Sequence, residues 1–523
     1  MSDGKHLHIS PWVIALTVMI ATFMEVLDTS VANVSLPHIA GDLSATVEET
    51  TWVLTSYLVA NAVVLPLGGY FSSLMGRKRF YLTCVAIFTV SSVACGLAPS
   101  LGWLIFFRIL QGLGGGGLQP TSQAILVETF PHERRGAAMA VYGMGVVLAP
   151  IIGPVLGGWI TDNFSWHWIF LINLPVGLLS MALTSSLVHD PPTFHRISIK
   201  EGAKFDYLGI SILTLGLASL EFVLDEGQRK DWFSSNLIVL FSIVAVAALV
   251  FAVLYELKKE RPIVDLRLLK DRNFAVATLM LFVLGFVLYG SIALLPIFLQ
   301  TLLGYTAVLS GWVLSPGGVA VLIMMPIVAL LLKRFDARWL IGFGFLFCGL
   351  GLLQMSRFNL EVDYNTAMWS RVVQSFGLAF LFVPINVTAF QHVPPDKTTY
   401  ATGLMNLVRN IGGSTGIAIV TTLIARRSQV HQANLVGNLV QGNPYYQAFL
   451  DRAAQLGVVR GGLSPPDAAH MAQGAAYGLL SRQAAMMAFA DAFLVMGVLC
   501  LLLLPLLLLM RKSRAHGPIV MAE

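Results

Sequence analysis

The sequence is poor in charged residues. Only 12% of its 523 residues are Asp, Glu, Lys or Arg, whereas a soluble domain carries about 25%. Hydrophobic residues make up 56% of the chain, and the mean hydropathy is +0.75. A chain of this composition could not cover its own surface in water, which excludes a soluble globular protein. It predicts an all-α polytopic membrane protein.

Cysteine is also scarce. The chain has four cysteines, all within apolar stretches and none in a C-x-x-C pair: Cys84, Cys95, Cys348 and Cys500. This pattern argues against a disulfide framework and against a cysteine metal site. We expect the four thiols to act as small buried hydrophobic side chains.

Residues that would build an enzyme site are missing as well. The 11 histidines lie mostly near loops or termini, and no H-E-x-x-H sequence occurs. A membrane-embedded enzyme or ligand sensor should show clustered histidines, cysteines or carboxylates, or a nucleotide-binding loop. We therefore predict no metal site and no enzymatic activity.

The positive charge gathers in loops on one side of the predicted spans. The net charge is +5, which in a soluble protein would suggest a nucleic acid partner. In a membrane protein, Lys and Arg instead mark cytoplasmic loops. The clusters at 77–79, 134–135, 256–272 and 511–514 share one side. We predict that this side is cytoplasmic, that the partner is the lipid bilayer, and that no nucleic acid is bound.

About 14 stretches are long and apolar enough to span a bilayer, which needs roughly 20 residues each. The predicted spans are 12–36, 51–73, 80–98, 101–128, 136–160, 166–188, 206–224, 234–256, 273–297, 308–332, 339–357, 364–392, 399–424 and 485–510. An even number places both termini on the cytoplasmic side. The long polar segment 425–484 fits either a partly helical external excursion or a mobile loop.

An internal repeat organises the spans. "RILQGLG" at 108–114 matches "RVVQSFG" at 371–377, and Pro37 and Trp52 match Pro296 and Trp312. We predict an N-terminal six-helix bundle over 12–188, two inserted helices over 206–256, and a C-terminal six-helix bundle over 273–510 that contains the external segment. Two parallel six-helix repeats are the layout of the major facilitator architecture.

Three charged residues fall well inside predicted spans of the first repeat, away from the span ends. Glu25 and Asp28 are three residues apart on one helical face, and Arg108 lies in the fourth span. Asp28 and Arg108 are each 8 residues from the outer end of their span, or roughly 12 Å at 1.5 Å per residue. Equal depth predicts an ion pair. Such a pair could couple proton release to substrate binding, or it could be a fixed contact that locks helix packing. Glu25 could instead line the route to that site.

Other polar side chains in the spans are candidates for a substrate cavity. Aromatic, amide and guanidinium groups among apolar residues suit varied substrates, although each could equally be a helix–helix hydrogen bond. The cavity candidates are Tyr57, Asn61, Gln111, Gln119, Tyr142, Tyr289, Arg371, Gln374, Asn386, Asn406 and Arg409. Glu128, Glu221, Asp225 and Asp491 lie near span ends, where we expect solvated interface positions.

A glycine pattern at 112–117 fits the G-x-G-x-x-G spacing of a dinucleotide-binding loop. That loop requires a preceding strand and a following helix, whereas this pattern lies in a long apolar span. We interpret its glycines as positions of close helix contact. The Pro- and Gly-rich stretch 143–158 indicates a bent, closely packed helix.

Together these motifs resemble the 14-span drug:proton antiporters of the major facilitator superfamily, and among them the EmrB-type multidrug export permeases. The resemblance rests on "LDTSVANVSLP" (27–37), "RILQGLG" (108–114), "APIIGPVLGG" (149–158) and "WHWIFLINLPVG" (166–177), in this order. Two further stretches, "DWFSS" (231–235) and "PIVDLRLLKDRNF" (262–274), extend it across the inserted spans.

The resemblance implies roles for particular residues. Asp28 would be the proton-linked acid and Arg108 the arginine of proton coupling. Conformational motifs would include the antiporter motif of the fifth span and the loop after the second. Their residues here are Pro150, Gly153, Pro154, Gly157 and Gly158, and Gly69, Gly76, Arg77 and Lys78. Ser73 stands where many members have an Asp that makes an interdomain charge contact.

The resemblance also implies a function. The chain would export amphiphilic or cationic drugs across the bacterial inner membrane, driven by the proton gradient and with no cofactor. It would be the permease of a tripartite efflux pump, with a periplasmic adaptor and an outer-membrane channel, and segment 425–484 would be a docking surface. The alternative is a dedicated exporter of one metabolite of the siderophore or fatty acid type. Uptake by symport fits the fifth-span motif less well.

Overall fold

The computed structural model describes residues 10–190, 206–260, 262–394, 397–440 and 442–511. Within these ranges the regular structure is helical and no strand occurs. Thirteen helices are long and apolar enough to cross a membrane, and one bent helix makes a fourteenth span. The predicted all-α polytopic fold with about 14 spans is therefore confirmed.

The helices before the insertion form the first bundle. They are α1 (Pro11–Asp42), α2 (Val47–Thr50), α3 (Trp52–Met75), α4 (Arg77–Gly96), α5 (Leu101–Gly115), α6 (Leu118–Thr129), α7 (Arg135–Asn163), α8 (His167–Leu171) and α9 (Asn173–Leu187). α5 with α6, and α8 with α9, each make one span. α7 bends by 43° between its two halves, where Pro150 removes a backbone donor.

The inserted pair and the second bundle follow. The inserted helices are α10 (Tyr207–Glu226) and α11 (Asn236–Lys258). The second bundle contains α12 (Arg272–Thr301), α13 (Ala307–Leu331), α14 (Ala337–Met355), α15 (Tyr364–Ala389), α16 (Thr398–Val436), α17 (Pro444–Gly461) and α18 (Pro465–Leu502). We call the end of the spans that carries Arg77, Arg135 and Lys397 the basic end, and the other the opposite end.

The segment 425–484, whose structure the sequence left open, is helical over most of its described length. α16 continues to Val436, well past the predicted span end at 424, and α18 begins at Pro465 rather than near 485. α17 begins with a cap in which the Asn443 side chain accepts from the Tyr445 amide at 3.0 Å, and it ends at Gly462, whose φ is +60°. Caps at both ends explain why a polar, alanine-rich stretch forms a stable helix.

The bundles meet along a seam that positions the functional residues. α7 of the first bundle packs on α13 and α15 of the second, and α3 and α6 pack on α16. The inserted helix α10 packs on α11 and also against α3 and α16. The inserted pair therefore lies beside the seam and contacts both bundles.

The glycine pattern of the fourth span is a helix contact, as expected. A Cβ at Gly112 would lie 2.5 Å from the Tyr57 carbonyl oxygen, and one at Gly114 would lie 2.6 Å from the Phe88 amide. Because both neighbours are backbone, neither can move aside easily. The glycines therefore allow α5 to approach α3 and α4 closely.

We expect Gly114→Val to destabilise the protein, since its side chain would displace the backbone of α4. Overpacking of this kind typically reduces stability by about 1–3 kcal/mol, so the midpoint of thermal unfolding in detergent should fall. Gly102→Val is the matched control, because a Cβ at Gly102 meets no atom within 4 Å. Equal midpoints for the two variants would contradict the close contact of α5 with α4.

Candidate functional site

Asp28 of α1 and Arg108 of α5 form an ion pair inside the first bundle. The Arg108 Nη1 lies 2.5 Å from the Asp28 Oδ2, and neither side chain is exposed. The ion pair that was predicted from the equal depths of Asp28 and Arg108 is therefore present in the structure. A buried charge requires a partner of opposite sign, and here each residue supplies it to the other.

Amide side chains complete the surroundings of the pair. The Asp28 Oδ1 accepts hydrogen bonds from the Asn173 Nδ2 at 2.7 Å and the Gln111 Nε2 at 3.0 Å. Arg108 also donates to the Gln111 Oε1 at 2.8 Å and to the Val53 carbonyl oxygen at 2.9 Å. The candidate cavity residue Gln111 thus belongs to the ion pair.

Sequence analysis missed Asn173. It is the only amide side chain in "WHWIFLINLPVG", and an amide surrounded by apolar residues in a span is the signal that could have identified it. Its Nδ2 also lies 2.9 Å from the Ser92 Oγ. Through Asn173, Asp28 is therefore connected to α9 and α4. Its contacts with α5 are made separately, by Arg108 and Gln111.

Glu25, one helical turn from Asp28, has a separate set of partners. Its carboxylate accepts from the Tyr57 hydroxyl and the Asn61 Nδ2, both at 3.1 Å, and from the Gln119 Nε2 at 2.7 Å. The side chain is 3% exposed, and no Lys or Arg in the described part of the chain contacts it directly. Gln119 in turn accepts a hydrogen bond from Arg409 of the second bundle. Glu25 is thus connected through one amide to the other side of the seam.

Further amides close the seam towards the basic end. The Asn406 Nδ2 donates to the Gln123 Oε1 at 2.6 Å, and the Gln123 Nε2 lies 3.5 Å from the Asn386 Oδ1. The Tyr142 ring stacks on Phe382 with a centroid distance of 6.0 Å. The structure thus brings Asn386 and Asn406 together with Gln123, which sequence analysis missed because its contacts are long-range. Tyr142 packs beside them on Phe382, whose carbonyl oxygen accepts from Asn386.

The second repeat contains a modified copy of the ion pair. The Arg371 Nη1 donates to the Gln374 Oε1 at 2.7 Å and to the Ser291 Oγ at 3.2 Å. Ser291 thus takes the place towards Arg371 that Asp28 takes towards Arg108, and no carboxylate among the described residues forms an ion pair with Arg371. The hydrogen bonds described for Arg371 and Gln374 stay within the second bundle, and half-buried Tyr289 packs against Gly413. Among the described contacts, Arg371 and Gln374 do not join the amides of the seam, whereas Tyr289 lies within electrostatic range of Glu25, Arg409 and Tyr142.

The fifth-span motif packs directly behind Asp28. The Ser30 Oγ donates to the Pro150 carbonyl oxygen at 3.2 Å, and Gly153 faces Ser30 so closely that a Cβ would overlap it. A Cβ at Gly157 would lie 2.9 Å from Val31. The proline bend and these glycines hold α7 against the turn of α1 that follows Asp28. Gly158 differs, since a Cβ there meets nothing within 4 Å.

The loop motif after the second span joins the bundles at the basic end. A Cβ at Gly69 would lie 2.9 Å from the Tyr400 ring of α16, and the φ of Gly76 is +88°. The Ser73 hydroxyl, which replaces the family's Asp, lies 3.4 Å from the Tyr400 hydroxyl. The interdomain contact at this position is thus between two hydroxyls and carries no charge.

The two basic residues of this motif contact their own bundle. Arg77 forms an ion pair with Glu128. Lys78 donates its amide to the Asp190 carboxylate at 2.9 Å and its Nζ to the Ser185 carbonyl oxygen at 2.6 Å. They therefore fix the loop to α6 and α9.

The expected solvated positions near span ends are partly wrong. Glu221 is 2% exposed and accepts from Ser414, and half-buried Asp225 accepts from Thr55. Glu128 is largely covered by its contact with Arg77. Asp491 is also paired, with Arg427 at 2.6 Å and His431 at 2.8 Å. Hydropathy locates a span end along the chain but does not show which neighbours cover it.

The sequence is similar to that of known transporters. The family model described as the Major Facilitator Superfamily matches residues 18–417. The chain is 36% identical to the multidrug export protein EmrB of Escherichia coli K12 over 449 residues, which is 86% of this chain and 87% of that protein. It is 37% identical to the fatty acid resistance protein FarB of Neisseria gonorrhoeae over 446 residues, or 85% of this chain and 86% of that one.

Solved structures show the same fold. The proton:xylose symporter XylE superposes with a TM-score of 0.58 at 14% identity, covering 97% of both chains. The human organic anion transporter MFSD10 superposes with a TM-score of 0.57 at 13% identity, covering 94% of this chain and 99% of that one. At these identities the likeness concerns the fold alone.

We expect Arg108→Met to destabilise the protein strongly, because it leaves Asp28 as a buried charge without a cation. Breaking a buried pair in this way costs about 3–5 kcal/mol. The double variant Asp28→Leu, Arg108→Met should recover most of the loss, since it leaves no buried charge. Thermal unfolding of the three proteins measures this coupling. Additive losses in the double variant would show that the two residues do not stabilise each other.

Proposed function

The chain belongs to the major facilitator superfamily, and on this premise we propose that it exports amphiphilic or cationic drugs across the bacterial inner membrane in exchange for protons. Its spans and its relatives make it a multi-pass membrane transporter of the drug-export type and not an enzyme. Proton exchange needs no cofactor, since the proton gradient supplies the driving force.

The buried Asp28–Arg108 pair and its neighbour Glu25 are the observation that carries the proposal. Burial favours the neutral form of a carboxyl group, whereas a guanidinium nearby favours the charged form. Asp28 has such a guanidinium and Glu25 has only neutral direct partners. The two acids therefore have direct partners of different charge, and exchange of those partners during transport would couple movement of a proton to movement of the drug.

Movement of one bundle against the other would change the surroundings of Glu25 during alternating access. Glu25 contacts Gln119, and Gln119 contacts Arg409 of the second bundle. Rocking of one bundle against the other would break the contact between Gln119 and Arg409, and the surroundings of Glu25 would change with it. A cationic drug that entered the opened seam could then replace the lost positive charge as the proton leaves.

The contacts of the described seam support a state closed at the basic end. The hydrogen bonds of Gln123 with Asn386 and Asn406, and the contact of Ser73 with Tyr400, lie between mid-span and that end. If the basic end is cytoplasmic, export requires these contacts to open and admit the drug. They involve amides and hydroxyls only, which water can replace at little free-energy cost.

A tripartite pump would use the helical hairpin at the opposite end. α17 and the first turns of α18 extend beyond the spans and expose large apolar side chains, with Tyr445 86% and Val459 81% exposed. We propose that this hairpin docks a periplasmic adaptor that continues to an outer-membrane channel. Aromatic and apolar side chains exposed together are typical of a protein interface.

A dedicated exporter of one amphiphilic acid is the second candidate. The observation in its favour is the similarity to the fatty acid resistance protein FarB, which matches that to EmrB in identity and coverage. Arg409 in the seam would be the natural partner of a carboxylate, just as Glu25 would be that of a cation.

We expect Asp28→Asn to abolish resistance while the protein is still made and inserted. The amide keeps the shape of the side chain but cannot exchange a proton, and its Nδ2 cannot accept the hydrogen bonds that Arg108, Gln111 and Asn173 donate to the carboxylate. Because the variant also leaves Arg108 without its anion, the amount of inserted protein is measured alongside resistance. A susceptibility panel of cationic dyes, neutral antibiotics and long-chain fatty acids in an efflux-deficient bacterium measures the effect. Protection against several unrelated cations supports multidrug export, and protection against fatty acids alone supports the second candidate.

Transport in proteoliposomes provides the control for this prediction. Wild-type protein should dissipate an imposed proton gradient when drug is added, and Asp28→Asn should not. Glu361→Gln, which changes an exposed carboxylate on a loop, should behave as wild type. Normal proton exchange by Asp28→Asn would refute the role given to Asp28.

We expect Tyr445→Ser with Val459→Ser to impair the pump without impairing the permease. Removing two exposed apolar side chains from α17 should weaken adaptor binding but leave the transport path intact. Resistance in whole cells that carry the adaptor should fall, while drug–proton exchange in proteoliposomes should stay unchanged. Unchanged resistance would show that the adaptor does not bind this face of the hairpin.

A further inference from the structure

The inserted helix α10 reaches both bundles through two carboxylates. Glu221 and Asp225 are four residues apart and therefore lie on one helical face. Glu221 accepts a hydrogen bond from Ser414 on α16 of the second bundle. Asp225 accepts one from Thr55 on α3 of the first bundle. A single helix face thus holds one side chain of each bundle, at the end opposite the basic loops.

Aromatic contacts beside the two carboxylates strengthen this connection. Phe222 stacks on Trp52 of α3 with a centroid distance of 5.7 Å. Beyond the end of α10, the Trp232 Nε1 donates to the Thr422 Oγ1 of α16 at 2.9 Å. The connection between the bundles therefore extends over about two turns of α10 and the residues after it.

The charges around Glu221 are few. On its own helix, the charged groups nearby are Asp225 and Glu226, and just after the helix the Arg229 guanidinium lies 3.1 Å from the Glu226 carboxylate. Lys230 lies 3.8 Å from the same carboxylate. Glu226 thus pairs with the two cations that follow α10, and Arg229 also acts electrostatically on Asp225, four residues before it.

The neighbouring helices contribute mainly hydroxyls. α3 presents Thr51 and Thr55, and α16 presents Ser414 and Thr422, while Arg409 of α16 contacts Gln119 instead. The buried face of α11 is formed by Ile238 and alanines along most of its length. In the part of the chain that the structure describes, no cation forms an ion pair with Glu221 or Asp225.

Charging both carboxylates, which lie one turn apart, is unfavourable in such surroundings, and Arg229 offsets this only at Asp225. Burial favours the neutral acid, and the charge of one carboxylate opposes ionisation of the other. A protonated carboxyl group still accepts a hydroxyl hydrogen bond through its carbonyl oxygen. The closed contacts are therefore compatible with bound protons, whereas full ionisation would favour entry of water and separation of the bundles.

We propose that Glu221 and Asp225 form a proton-dependent clasp that holds the two bundles together at the end opposite the basic loops. Proton binding closes the clasp, and release of protons opens it. This is a second proton-binding site, separate from Asp28 and Glu25 and formed by the inserted helix pair. It goes beyond the proposed drug export, since it concerns how the bundles respond to acid on one face of the membrane.

The test measures opening at that face directly, in full-length protein in lipid nanodiscs. Spin labels at Gly102→Cys on α5 and Val308→Cys on α13 mark the two bundles at the opposite end, where both positions are exposed. The four native cysteines are buried and should react slowly. Pulsed electron paramagnetic resonance between pH 5 and 8.5 then gives the fractions of short and long distances.

We expect the ratio of long to short distances to rise with pH, by up to about tenfold per pH unit where one proton is linked. The double variant Glu221→Gln, Asp225→Asn keeps both hydrogen-bond acceptors but cannot ionise, so it should stay closed over the whole range. Glu361→Gln should follow wild type. A double variant that titrates like wild type would overturn the clasp.

Two further proteins separate this outcome from other causes. In an Asp28→Asn background the fraction of long distances should still rise with pH, because the clasp does not depend on Asp28. Loss of this rise would assign the response to the central ion pair.

Thr55→Val with Ser414→Ala leaves the carboxylates but removes their hydrogen-bond donors, so the midpoint of opening should shift to lower pH. This variant tests the clasp even if the Glu221 substitution prevents folding, and an unshifted midpoint would count against the proposal.

Discussion

The need to compensate buried charge determines how this molecule is organised. A charge within an apolar span is unfavourable by several kcal/mol unless a partner neutralises it or it reaches water. Asp28 and Arg108 satisfy this condition together, with no exposure of either side chain. The requirement fixes α1 against α5, and the amides of Gln111 and Asn173 fix both helices to their neighbours. The first bundle is thus built around one neutral pair.

The comparison of the two bundles shows how the sequence repeat was modified. Both keep an Arg that donates to a Gln three residues later, at 2.8 Å in the first bundle and 2.7 Å in the second. The second bundle has Ser291 where the first has a carboxylate. A hydroxyl neither neutralises Arg371 nor exchanges a proton at ordinary pH, so the described acid–arginine pair of the first bundle has no counterpart at this position of the second.

Much of the fold and part of the site could be predicted from the sequence. Hydropathy located the 14 spans because each must be apolar over about 20 residues, and counting residues placed Asp28 level with Arg108.

The contact of Gln123 with Asn406 could not be found in this way, since it joins residues 283 positions apart on faces that no periodicity distinguishes. Glu221 was misplaced for a related reason, because its burial depends on two helices distant in sequence. The hairpin around α17 was left open because polar, alanine-rich composition fits both a helix and a mobile loop.

The chemistry of the seam differs from that of the bundle interior in a way that suits movement. Breaking an amide or hydroxyl hydrogen bond and exposing both groups to water changes the free energy by about 0.5–1.5 kcal/mol, whereas separating a buried ion pair costs several times more. The hydrogen bonds described across the seam involve Gln119, Gln123 and Ser73 on one side, all of them neutral. The single cation among their partners, Arg409, contacts an amide oxygen and not a carboxylate. Two arrangements of the bundles can therefore lie within a few kcal/mol of each other, which is the condition for a proton or a substrate to shift the balance between them.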